Sequence, residues 1–203
     1  MRKTWTLMTA VIICAGLHAG CGGSQDDAAP PTSSGPEGVV LTMLRALADG
    51  NGVAMAACYD CSIEDKEYLI KTMPLQMTIH KLIDAGSKAY GKNVWLETTL
   101  KARVGMVKAD LETAEDNIQS EITGDIAKCI LRGLPRELIL RKKGEKWLIV
   151  PRPSQIPSLS LRGGRLASMA ETKEAIDAII PKVSAGKIPV DDMCNEIRNI
   201  LNR

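Results

Sequence analysis

Apolar residues recur every three or four positions along most of this chain, give way to strict alternation in one central stretch, and return to the helical period near the C-terminus. Pro36-Glu37 suits a helix start, because proline fits the first helical position and an acid suits the positive end of the dipole. Val40, Met43, Leu44 and Leu47 then share one face, and Gly50 is placed to end the helix. Residues 51–60 form a short alanine-rich helical stretch. Ser62, with Asp65 as its acidic partner three residues on, caps a long helical region running to about Tyr90. Pro74 removes a helix hydrogen bond and is expected to kink or divide that region near Thr72.

From Lys92 to Glu115 the period is poorly defined; Trp95 to Lys108 fits a helix better than a first strand. Alternation then sharpens. Ile118, Ser120 and Ile122 precede Gly124-Asp125, and Ala127, Cys129 and Leu131 follow, which predicts a hairpin. A second hairpin joins Leu138-Ile139-Leu140 to Trp147-Leu148-Ile149-Val150 through a turn at Lys142-Lys143-Gly144-Glu145, and prolines at 151, 153 and 157 close the sheet region. Residues 153–165 have the Pro/Ser/Gly content of a linker. Beyond it, Met169, Ile176, Ile180 and Val183 mark one helix, and Val190, Met193, Cys194, Ile197 and Leu201 mark a second that Pro189 begins. Such a pair must bury its apolar faces against the main domain, a copy of itself or a partner. The expected fold class is α+β: N-terminal helices packed on a curved antiparallel sheet, with a C-terminal helical pair.

The N-terminus changes the picture. Met1-Arg2-Lys3 and the apolar run Leu7 to Leu17, with no acid before Asp26, have the layout of a signal peptide. The run is well short of the roughly 20 residues a helix needs to cross a bilayer. Leu17-His18-Ala19-Gly20-Cys21 resembles the lipobox of bacterial lipoproteins, which implies a diacylglycerol on the Cys21 sulfur and cleavage before it. The alternative is a secreted protein cut after Ala19. Residues 22–35, GGSQDDAAPPTSSG, contain no aliphatic side chain larger than alanine and read as a leash. The implied organisation is a signal peptide (1–20), a lipidated cysteine with linker (21–35), an α+β domain (36–152), a linker (153–165) and a helical hairpin (166–203). The implied location is the bacterial envelope, lipid-anchored and periplasm-facing in a diderm host.

Arg2 and Lys3 account for the formal excess of +2, so the processed chain balances. No global field draws it to nucleic acid, and the absence of phenylalanine argues against a base-stacking surface. One local excess remains: Arg132, Arg136, Arg141, Lys142, Lys143, Lys146 and Arg152, opposed only by Glu137 and Glu145. It reads either as a solvated strand face or as a patch facing anionic lipid headgroups.

Helical segments followed by strands ending in LILRKKGEKWLIV resemble the cone-shaped α+β fold of the nuclear transport factor 2-like superfamily. Gly124-Asp125-Ile126-Ala127 and Gly144-Glu145-Lys146-Trp147 match hairpin phrases of its exported members. The resemblance covers residues 36–152 and implies a cone that serves enzymes, ligand binders and domains of no assigned activity alike. The acidic, tyrosine and histidine groups that its enzymes converge inside the cone find no matching set here.

Chemistry-bearing residues are few. Cys58-Tyr59-Asp60-Cys61 is a C-x-x-C motif that suits a structural disulfide, within the pair or to Cys129 or Cys194, better than thiol exchange, since no strand precedes it. No second C-x-x-C or suitably spaced histidine completes a zinc site, so neither metal nor cofactor is implied. His80 is the sole histidine after the signal; His80, Tyr90 and Trp95 are the residues that would line a pocket. The expected role is binding, towards another envelope protein or an apolar small molecule. A small isomerase-like or hydrolytic enzyme is the alternative.

Overall fold

The computed structural model describes residues 35–101, 111–131 and 137–202. The expected signal segment, Cys21 and the expected leash before residue 35 lie outside the described residues, as do Arg132, Arg136 and positions 102–108 of the expected helix. The described residues form seven helices and four strands: α1 (Pro36–Ala48), α2 (Gly52–Ala57), α3 (Ile63–Tyr90), α4 (Lys92–Lys101), α5 (Leu111–Asn117), β1 (Ile118–Thr123), β2 (Ile126–Leu131), β3 (Leu138–Lys143), β4 (Lys146–Ile149), α6 (Leu159–Ala185) and α7 (Val190–Leu201). The fold is α+β, with a four-stranded antiparallel sheet and a C-terminal helical pair.

The chain divides into two compact units, each with its own core. The first comprises residues 35–73, 111–131 and 137–157. Its sheet is a meander in the order β1-β2-β3-β4. Registers Ile122↔Ala127↔Leu140↔Ile149 and Ser120↔Cys129↔Leu138 set one face, and Val40, Met43, Leu44 and Leu47 of α1 are buried where α1 packs across it. Ala127 is fully buried on this face; a larger side chain would meet the layer beneath α1. Both hairpins turn at a left-handed glycine, Gly124 (φ 59°) and Gly144 (φ 62°), a conformation that side chains with a Cβ resist.

The second unit comprises residues 74–101 and 158–202. Ile79, Leu82 and Ile83 of α3, Trp95 of α4, Ile176, Ile179 and Val183 of α6, and Met193, Cys194 and Ile197 of α7 form its core. Each such aliphatic side chain removed from water contributes roughly 1.5–3 kcal/mol before entropy is counted.

Two expectations are corrected. The domain does not run from 36 to 152: α3 is continuous through Pro74, the boundary between units falls between Met73 and Pro74, and the part of α3 beyond Pro74 packs with the C-terminal helices. Proline leaves the carbonyl four residues back without its donor, but the Thr72 hydroxyl donates to the Leu69 carbonyl at 2.7 Å, supplying one bond in that turn. Nor is 153–165 a linker throughout. Arg152 N donates to the Gln155 side chain at 2.8 Å and Gln155 N to the Arg152 carbonyl at 2.9 Å, which orders the proline segment, and α6 begins at Leu159 and runs through Gly163-Gly164.

Candidate functional site

The C-x-x-C motif is built as a strap on the sheet. Ile149 N donates to the Cys58 carbonyl and Asp60 N to the Ile149 carbonyl, both at 2.8 Å, so Tyr59 bridges β4 in parallel. Cys58 caps α2 and Ser62 caps α3, which leaves the motif as the short extended piece between two helices. Among the described residues Cys58, Cys61, Cys129 and Cys194 are all held as thiols, so the structure forms no disulfide of the motif, neither within the pair nor to Cys129 or Cys194. Instead the Cys58 thiol donates to the Ala54 carbonyl at 3.4 Å. Burial pushes Cys58 up to about 11 and Cys129 up to about 12, and it raises Cys194 too. A thiol raised by burial is the opposite of an exchange nucleophile.

Asp60 is the residue the sequence reading missed. The strap sets its carboxylate beside β4, where Lys143 Nζ reaches it at 2.6 Å and Arg141 at 3.7 Å from the far side of that strand. Nothing in a linear pattern joins positions 60, 141 and 143; the only signal was an acid inside a motif read for its cysteines.

Strand geometry also divides the expected basic patch of Arg141, Lys142, Lys143 and Lys146. The strand β3 continues to Lys143, so the turn is confined to Gly144-Glu145 and the lysines alternate. Lys142 pairs with Trp147 in register with the helix-covered face, whereas Arg141, Lys143 and Lys146 belong to the opposite, outer face. There Arg141 neighbours Ile126 and Leu148, and Lys128 neighbours Glu121 and Ile139. Ile126 and Ile130 remain 38 % and 41 % exposed, large for aliphatic side chains on a sheet face. The outer face thus interleaves aliphatic and cationic side chains: Lys128 stands between Ile126 and Ile130 along β2, and Arg141 between Ile126 and Leu148 across the sheet.

His80, Tyr90 and Trp95 do not assemble into a pocket lining. His80 is buried in α3, but it lies ten positions before Tyr90 on the same helix, roughly 15 Å along the axis. Tyr90 and Trp95 do meet: their rings stack at 5.7 Å with planes 9° apart, and the Tyr90 hydroxyl donates to the Ile188 carbonyl at 3.0 Å. Gly86 makes room for the indole, since a Cβ there would lie 2.2 Å from a Trp95 ring atom. The two aromatics fill the space between α3 and α4 themselves. Trp95 Nε1 is buried with no hydrogen-bond partner among the described residues.

A second polar cluster pins α3 to α6. Thr78 donates to Asp177 at 3.2 Å and Lys173 Nζ to its other oxygen at 2.6 Å, and the Lys173 hydrogen bond holds the Asp177 carboxyl below its usual range. Among the described residues no group of three or more histidine, cysteine or acidic side chains is placed to hold a metal ion, and no helix is long and apolar enough to cross a membrane. No protein family, curated protein or solved structure matches the chain.

Proposed function

We propose that this chain is an exported bacterial envelope lipoprotein, anchored through a lipid on Cys21, whose folded part binds rather than catalyses. The observation that carries the binding role is the outer sheet face, where half-exposed isoleucines stand among cations instead of the polar residues that a merely solvated face would carry. The anchor rests on the signal layout and the lipobox-like residues before Cys21. The nuclear transport factor 2-like assignment of the sheet unit is part of the same reading, supported by its helices-then-meander order and its two glycine turns.

Thiol exchange is disfavoured by the high pKa of Cys58. Intact mass and membrane fractionation after expression in a bacterial host, beside Cys21→Ser, test the anchor. The expected product lacks residues 1–20, carries acyl chains and sediments with membranes, while the serine variant does not. An unmodified, soluble product would overturn the lipoprotein reading.

A further inference from the structure

We propose that the outer face of the sheet docks on an anionic lipid surface, an inference that rests on the lipid-anchor reading and names what the binding face meets. The face combines the two elements of interfacial attachment, aliphatic area and cations. Ile126 and Ile130 supply the exposed aliphatic area, with Ile139 and Leu148 half-buried beside them. Lys128, Arg141, Lys143 and Lys146 oppose Glu121 and Asp60, leaving an excess of two positive charges on the strands and their strap. Asp125 and Glu145 stand in the two hairpin turns rather than on the strands.

The length of chain before the fold makes lipid the fitting occupant. Residues 21–35 separate the anchor from Pro36 and span at most about 50 Å fully extended. A domain held that near a bilayer meets its headgroups at high effective concentration, which strengthens a contact that the face already makes by itself. Asp60 is the internal brake: by pairing with Arg141 and Lys143 it cancels one of the cations that headgroups would otherwise meet.

The test uses the chain from residue 21 with Cys21→Ser, which keeps every described element and carries no lipid, so its outcome is independent of whether Cys21 is acylated in cells. Sedimentation with vesicles of phosphatidylglycerol and phosphatidylcholine in roughly equal parts is compared with pure phosphatidylcholine. Binding is expected to the anionic vesicles only, and to vanish at about 1 M salt, where charges are screened beyond roughly 3 Å. Asp60→Asn, which frees one positive charge, should tighten binding about fivefold. The double variant Lys128→Glu/Lys146→Glu should weaken it at least tenfold with an unchanged far-UV CD spectrum. Absence of binding to anionic vesicles, equal binding to neutral ones, or an Asp60→Asn variant that binds no better would each overturn the proposal. Membrane fractionation that succeeds while vesicle binding fails would leave a tether without a docking face.

Discussion

Among the described glycines, the closest approach is the notch that Gly86 leaves for Trp95. A Cβ at 2.2 Å from a fully buried ring cannot be relieved by moving a flexible side-chain end, so Gly86→Ala is expected to destabilise by about 1–3 kcal/mol. Urea titration followed by tryptophan fluorescence measures the loss. Trp95→Ala should cost about 3–5 kcal/mol. Trp95→Phe should cost clearly less, because it keeps a ring against Tyr90 and deletes a buried N–H without a described partner. Titration supplies an independent check. Burial raises Cys58 from 9.0 to about 11, Cys129 from 9.0 to about 12 and Tyr59 from 10.0 to about 12. An acid whose folded pKa exceeds its unfolded value stabilises fully below the unfolded value and loses that contribution as pH rises through the folded one. Stability measured by urea midpoints should therefore hold to about pH 9 and fall progressively towards pH 12. In the native protein at pH 8, Cys61 should alkylate well before the buried Cys58, Cys129 and Cys194.

Among the helices and strands, legibility followed how local each cause was. The Ser62 cap is a case where pattern and structure coincide: Asp65 N donates to the Ser62 hydroxyl at 3.1 Å, and Ser62 N to the Asp65 carboxylate at 3.4 Å. Ser62→Ala should cost about 1 kcal/mol, read from the same urea titration. The two hairpins and α7 were equally legible, because alternation and the 3.6-residue period report directly which face is buried. The start of α6 was not. Ser158, Gly163 and Gly164 read as linker, and a Cβ at either glycine would meet nothing within 4 Å, so local propensity gave no hint that the helix continues through them. Period two also holds the answer to the lysine run: Lys142 had to face away from Arg141 and Lys143 once the strand extended to 143, but the placement of the turn concealed it.

For the molecule as a whole, the division into two units reorders the chain. Residues 74–101 leave their sequence neighbours to share a core with 158–202, because Ile79, Leu82 and Ile83 complete the apolar faces of α6 and α7. The proposed export and anchoring rest on the N-terminal sequence alone and invoke no tertiary contact. The secondary-structure pattern, the caps and turns and the α+β class were legible because each depends on residues within a few positions of one another. The partners of Asp60, the notch at Gly86, the dispersal of His80 from Tyr90 and Trp95, and the boundary at Pro74 depend on how elements pack, with contacts such as Thr78 to Asp177 joining residues 99 positions apart. Such contacts follow from how layers pack, and no periodicity encodes them.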